Sequence, residues 1–469
     1  DLHSFPTRRS SDLHIDAELA LSTIDNNEQA VIGAYGTLGT EMAIQLNGVF
    51  SDELKPGEFY ASASTHEWQY TSNDISIRDN YTATTAYYYV INRVNRVLEA
   101  LPNLVPVNPS QEALKNRTLG EAYFLRAFCH FELYRYYAGP YDASGLAMPY
   151  IKVAAKALPT SYARIQQGPF FDSLESDLAE AKSLMVASLA DIYRANQVAA
   201  VGMQARVALY KEDWANAATY ATEYINALPL ATGADFDAIW KDGNKLETAF
   251  KLRRTSASRV GSFYRGLFTK NTAGNLVAPQ TVAWVPTNKL WDSYDATNDR
   301  RFAAYLKDEP ILAALPNKPH KIVAKYSGGA YASNTENVGD LKIMRTAEMY
   351  LIRAEARAEQ GQFTGANSAE SDINELRAAR IAGYTPVTFA SKAEAIAAIM
   401  LERYKELAFE GHRFWDLKRK SLPIERLATD APNAGAMSLP ADNFRFLLPI
   451  PQAEMLANPL MEQNPGYAN

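Results

Sequence analysis

The sequence predicts a mainly α fold in which helical hairpins stack into a superhelix, interrupted by a long irregular, loop-rich insert with minor short strands. Three observations carry this. Helix–turn–helix runs with small residues at packing positions lie on both sides of the chain's middle: QARVALYKEDWANAATYATEYI at 204–225 and EMYLIRAEARAEQGQFTGANSAESDINELRAARI at 348–381. Between 229 and 342 the helical period fails, and Gly, Pro, Asn and Thr accompany Trp240, Trp284 and Trp291. No apolar run reaches the roughly 18 residues a membrane-spanning helix needs.

Each of the two runs resembles a tetratricopeptide unit, which makes the expected scaffold a tetratricopeptide-like helical-hairpin superhelix. The small positions are Ala205, Ala208, Ala217, Ala218 and Ala221 in the first run. In the second they are Ala354, Ala356, Ala358, Ala366 and Ala369. One hairpin cannot bury its own apolar face, so stacked neighbours complete each other's core. About four such pairs are expected on that logic, one of them split by the insert.

Taken in order, residues 1–13, DLHSFPTRRSSDL, lack an apolar signal core and read as a non-native leader; 14–469 reads as one domain. A first helix is expected near 27–42. Residues 50–80 are polar and carry His66, Trp68, Tyr70, Asn73 and Asp74; loops of this kind hold function more often than core helices do. Helices follow at 81–101, ended by Pro102, and at 111–137, with Ser110 as cap and Gly139-Pro140 as stop. After an irregular stretch at 149–167, helices are expected at 171–186, 195–210 and 214–227. The repeats thus occupy about 81–228 and 343–411. The insert, 229–342, is too long for an ordinary connection, and its aromatics argue against disorder. Short helices are expected within it at 234–240 and 288–294, and short strands at 249–253 and 321–326. Residues 412–469 read as a C-terminal strap whose prolines preclude a long helix.

The most informative run is LERYKELAFEGHRFWDLK, 401–418. Met400, Leu401, Tyr404, Leu407 and Ala408 form one apolar stripe, and Gly411 is a ready helix stop. Glu402, Glu406 and Glu410 lie four apart on one face. Paired carboxylates are what a glycosidase uses, but the same acids can pair with Arg403, Lys405 and Arg413 and fix a helix junction. His412 has no second His or Cys near it, which favours a hydrogen-bonded structural role over a general base.

Composition excludes several classes. The chain has 469 residues, 47% hydrophobic and 21% charged, with formal net charge −6 and no long basic run, so nucleic acid is not an expected partner. Its single cysteine, Cys129, sits in a helical run and reads as a small core residue, which rules out an internal disulfide and a Cys-rich zinc site. The six histidines are scattered without HExxH. No nucleophile elbow, phosphate loop or dinucleotide fingerprint occurs, and no cofactor or metal is expected. The 27 tyrosines suit an amphipathic binding surface, although repeats also use tyrosine in their cores.

Several stretches resemble the SusD/RagB family of outer-membrane nutrient-binding proteins. They are Glu410-Gly411-His412-Arg413-Phe414-Trp415-Asp416-Leu417, the hairpin run GEAYFLRAFCHFELYRYYAGP, the insert run LWDSYDATNDRRF, and the C-terminal Pro449-Ile450-Pro451 with Glu454, Asn458-Pro459 and Gln463 to Tyr467. The resemblance covers roughly 81 to the end. It implies a surface-exposed lipoprotein of the cell outer membrane that binds glycan, without chemistry, and delivers it to a SusC-like TonB-dependent transporter. It also implies a membrane link only through an N-terminal lipid anchor that this sequence does not contain. A sugar pocket needs flat ring faces and directional polar groups. Two clusters offer both: Trp68, Tyr70, Asn73 and Asp74; and Tyr264, Arg265 and Trp284. For each tryptophan the competing reading is core packing, and Trp214 and Trp415 are assigned to structure. Two further readings stay open: a helical-repeat scaffold that binds peptide or protein, and a glycan hydrolase with acids in the insert.

Overall fold

The computed structural model describes residues 20–58, 63–74, 77, 81–155 and 161–467, so the expected leader at 1–13 lies outside the described residues. Helix α1 (Ile24–Gly36) starts where the Thr23 hydroxyl accepts the Asn26 amide. The chain then breaks at Thr37–Thr40 and resumes as α2 (Glu41–Phe50). The single helix expected at 27–42 is therefore two: Gly36 and Gly39 bracket the break, and that turn forms one wall of the cleft described below.

Helices α3 (Thr84–Ala100), α4 (Pro109–Tyr137), α5 (Gln167–Leu184), α6 (Gln197–Lys211) and α7 (Trp214–Ala227) each pack on the next. Asn108, rather than Ser110, caps α4, and Pro109 fills the first turn, where its missing N–H costs nothing. From Thr118 onward nearly every side chain of α4 is buried, since α1, α3 and α5 surround it. Two glycines let neighbours nest. A Cβ at Gly120 would lie 3.2 Å from the Ala181 carbonyl oxygen, and one at Gly202 would lie 2.9 Å from the Tyr224 ring.

The repeat resumes with α8 (Thr346–Glu359), α9 (Ala369–Arg380) and α10 (Lys392–Glu406). Helix α8 packs directly on α7, so the superhelix runs on past the insert as if it were absent. The insert is closed at its base by two strands. Six strands matter here: β1 (Leu54–Pro56), β2 (Thr248–Leu252), β3 (Trp284–Pro286), β4 (Leu306–Asp308), β5 (Lys321–Val323) and β6 (Leu341–Arg345). Strand β2 pairs antiparallel with β6, Leu252 opposite Leu341. Strand β1 pairs with β3 and β4 with β5. The mainly α fold with a few short strands holds; the two strands expected in the insert fall at Thr248–Leu252 and Lys321–Val323, whereas those at Trp284–Pro286 and Leu306–Asp308 were not expected.

The signature run departs from the expected course. Helix α10 stops at Glu406, because Phe409 and Gly411 both take positive φ, +62° and +84°. The strap then opens on another helix, α11 (Arg413–Arg419), rather than on extended chain. Its first amides, Phe414 and Trp415, donate to Asn47 Oδ1 of α2, which ties the C-terminal part to the N-terminal helices.

Candidate functional site

The acids of the signature run are locked. Glu402 accepts from Arg301 at 2.5 Å and from Arg377 at 2.6 Å. Glu406 meets Arg345 at 3.0 Å, Arg380 at 3.1 Å and Arg301 at 3.2 Å. Glu410 meets Arg345 at 2.6 Å and Lys325 at 2.7 Å. Burial pushes the Glu406 carboxyl up, but the three guanidiniums outweigh it and hold it well below the usual carboxylate range. His412 is buried, and burial beside Arg206, Arg403 and Arg135 pushes its imidazole far down, so it is neutral. This is a junction of α8, α9, α10 and the insert, and each of the run's three glutamates is engaged in it.

The seven residues expected to grip a ligand divide unevenly. Trp68 is 3% exposed; its Nε1 donates to the Phe50 carbonyl at 2.9 Å, and the Arg426 guanidinium covers its ring at 4.2 Å. Tyr70 is buried, its hydroxyl donating to the Arg445 carbonyl and its ring stacked on Tyr467. Tyr264 lies buried between Tyr326 and Phe409. Arg265, also buried, donates to Asn337 Oδ1 at 2.5 Å and to the Ser327 carbonyl at 3.1 Å. Trp284 is 6% exposed, opposite Pro56 in the β1–β3 pair and beside His66 and Phe263. These five side chains are core in this structure: the four rings present no flat face to solvent, contrary to the stacking role expected of them, and Arg265 presents no free polar head, contrary to the hydroxyl contact expected of it. The reason is physical: a ring with a polar neighbour satisfies a buried hydrogen bond as readily as it grips a sugar. Asn73 is exposed and Asp74 half-buried, its carboxylate accepting from the Thr71 amide and hydroxyl. These two alone of the seven keep a solvent-facing position. Trp291 is also partly exposed, with Lys321 over its ring.

The insert therefore does fold over Trp240, Trp284 and its tyrosines, yet an open concave surface survives at its edge. A cleft of about 730 Å³ lies between the α1–α2 turn, the segment entering α6, and the chain leaving β2. That size is within the roughly 300–1,000 Å³ of ordinary ligand sites. Tyr35, Thr37, Glu41, Tyr193, Arg253 and Arg254 line it. The floor is braced from behind. The Tyr193 hydroxyl donates to Asp340 Oδ2 at 2.8 Å, and the Arg254 amide donates to Asp340 Oδ1 at 2.9 Å. Lys251 Nζ sits 4.8 Å from the Tyr193 ring and pairs with Asp340 at 2.9 Å. The Arg254 guanidinium pairs with Glu41 and reaches the Leu38 carbonyl. Arg194 is held by Glu121 and Glu28, and the Ala195 amide donates to the Tyr35 hydroxyl at 3.0 Å. The lining mixes ring edges, hydroxyls, carboxylates and guanidiniums, which is a set for reading a hydroxyl-rich ligand. None of these residues stood out in the sequence. Their three segments are far apart along the chain; the β2–β6 pairing, the Lys251 amide on the Ile192 carbonyl, and Phe250 against Tyr35 bring the Arg253-Arg254 step beside α1.

Comparisons with known proteins cover most of the chain. The sequence pattern of the SusD family matches residues 318–467, and that of a family described as starch-binding, associating with outer membrane, matches residues 13–209. SusD-like protein P2 of Formosa agariphila is 26% identical over 96% of this chain and 94% of its own. A SusD superfamily protein of Bacteroides thetaiotaomicron superposes with TM-score 0.79 at 21% identity, covering 94% of this chain and 100% of its own. A laminarin-binding SusD-like protein superposes with TM-score 0.70 at 20% identity, covering 94% and 99%.

Proposed function

We propose that this chain, which belongs to the SusD/RagB family, is a carbohydrate-binding protein of the outer membrane that captures glycan at the cell surface and hands it to a TonB-dependent transporter. The observation that carries the binding half is the open cleft of about 730 Å³, with its braced floor of Tyr193 and Asp340. Preorganised walls lower the cost of ordering a flexible ligand, which is how a weak polar site holds a sugar chain. The family description of outer-membrane association supports the location, and the laminarin-binding relative supports the ligand class. Binding proceeds without bond cleavage on this reading: the clustered acids of the signature run are all engaged by arginine or lysine, and a glycosidase needs two available carboxyls about 5–10 Å apart across its substrate.

Asn73 and Asp74 remain candidates for ligand contact. Trp68, Tyr70, Tyr264, Arg265 and Trp284 are then packing residues and not ligand contacts. Affinity electrophoresis against a polysaccharide panel, with a reducing-end assay on the same incubations, tests the reading. Retardation by at least one glycan with no new reducing ends is expected. Release of reducing ends by the pure protein, or passage unretarded through every polysaccharide, would defeat it. Co-purification with a transporter expressed alongside tests the handover.

A further inference from the structure

Every lining guanidinium of the cleft except one has an acid partner. Arg254 pairs with Glu41, and Arg194 with Glu28 and Glu121. Behind them Lys251 pairs with Asp242 and Asp340. Arg253 is the exception. Its side chain makes no ion pair with any described residue; it is exposed, and its guanidinium lies 4.4 Å over the Tyr193 ring. An arginine with no acid partner is ordinarily a mobile surface group. Here the ring beneath it limits that freedom, and the ring is itself fixed by its hydrogen bond to Asp340 and by Lys251. A planar fork held this way has lost much of its rotamer entropy in advance, so less remains to be lost when it engages a carboxylate or sulfate through two parallel hydrogen bonds. The lining carries three guanidiniums, Arg194, Arg253 and Arg254, and two carboxylates, Glu41 and Asp191; Glu28 and Glu121 already offset Arg194 and Glu41 offsets Arg254, so Arg253 is the lining cation without an acid partner among the described residues.

We propose that the cleft selects a glycan bearing an anionic group, a carboxylate or a sulfate ester, and that Arg253 reads that group from its seat on Tyr193. This rests on the reading of the cleft as the glycan site. Tyr193 has cations near its ring, Arg253 at 4.4 Å and Lys251 at 4.8 Å, so it serves as a mount for the guanidinium and not as a platform for a neutral pyranose. The hydroxyl-bearing walls, Thr37, Thr255 and Ser258, take the uncharged remainder of the sugar.

Calorimetric titration of the full chain and of R253Q with oligogalacturonate, a sulfated galactan oligosaccharide and a laminarin oligosaccharide tests the proposal, the first two separating carboxylate from sulfate. The wild type is expected to prefer at least one anionic ligand over laminarin by about tenfold, a preference that shrinks when salt rises from about 50 to about 300 mM. In R253Q that ratio should collapse toward unity, with the thermal melt unchanged because the side chain is exposed. A wild type that binds laminarin as well as both anions, or an R253Q that keeps the preference, overturns the inference and leaves glycan capture standing. No heat with any polysaccharide in the panel overturns both.

Discussion

Asp52 and Arg413 form a two-pronged ion pair, Nε to Oδ1 at 2.8 Å and Nη2 to Oδ2 at 2.9 Å, across 361 residues of sequence. It ties the chain leaving α2 to the first residue of α11. Lys289 adds a third contact at 2.8 Å. Burial pushes the Asp52 carboxyl up, but Arg413 and Lys289 pull it further the other way, so it titrates well below the usual range. A depressed carboxyl stabilises the fold above its unfolded value, near 3.9, and loses that contribution as pH falls below it. Replacing Asp52 by Asn leaves Arg413 largely buried without its ion-pair partner. The expected cost is about 3 kcal/mol at pH 7, shrinking as pH drops below about 4. Urea melts of D52N at pH 7 and pH 3 read both numbers.

Its neighbour behaves oppositely. Glu53 is fully buried; Oε1 accepts the Phe409 amide at 3.2 Å, and Oε2 has no hydrogen-bond partner. Burial pushes its carboxyl up to about 8, against the pull of the Phe409 amide. A raised acid binds a proton in the folded chain that the unfolded chain has released. Stability therefore falls as pH rises from about 4.5 toward 8. Glu53→Gln removes that dependence. Relative to wild type, E53Q should gain on the order of 3 kcal/mol between pH 5 and pH 8 and level off above. A difference that stays flat over this range would mean the carboxylate is ionised in the core.

Burial of the expected stacking rings makes a third prediction. Trp68→Ala and Trp284→Ala each empty a packed site and should cost about 3–5 kcal/mol, enough to lower the melting temperature measurably. Asn73→Ala, at an exposed turn, should change stability by less than about 0.5 kcal/mol. Differential scanning calorimetry separates the two groups. If W68A melts like wild type, Trp68 is not the core residue described here.

These three cases also mark what the sequence made legible. The hairpins were readable because the alanines between them are under a fixed steric demand: Ala205, Ala208, Ala217 and Ala221 are all buried where helices nest. The signature acids do fix a junction, but not with the neighbours expected: Arg403, Lys405 and Arg413 pair with Asp416, Asp299 and Asp52, while Glu402, Glu406 and Glu410 take Arg301, Arg345, Arg377, Arg380 and Lys325 from distant segments. Trp68 and Trp284 were not separable from pocket residues, since composition is the same whether a ring's polar neighbours face it or face water. The 27–42 reading missed a helix break because apolar spacing continues across Gly36 and Gly39. The cleft was invisible for a different reason. Tyr35, Tyr193 and Arg253 sit on segments with no shared pattern, and only tertiary pairing places them around one space.

Asp340 gives the last prediction, because it holds the cleft without lining it. One carboxylate oxygen accepts the Tyr193 hydroxyl at 2.8 Å and pairs with Lys251 at 2.9 Å, while the other accepts the Arg254 amide at 2.9 Å. Burial pushes this carboxyl up, but the Lys251 and Arg254 hydrogen bonds outweigh it and hold it below the usual range. It is therefore charged at neutral pH. Asp340→Asn keeps the volume but replaces one acceptor by a donor, so the hydroxyl, the amide and the ammonium can no longer all be satisfied. Tyr193 then loses its anchor and Arg253 its mount. Affinity for the retained glycan should fall about threefold to tenfold, mostly in the dissociation rate, since loss of preorganisation leaves the encounter unchanged. Tyr193→Phe removes only the hydroxyl and should reproduce a smaller part of that loss. A D340N protein that binds with wild-type kinetics would show that the brace behind the cleft has no part in holding the ligand.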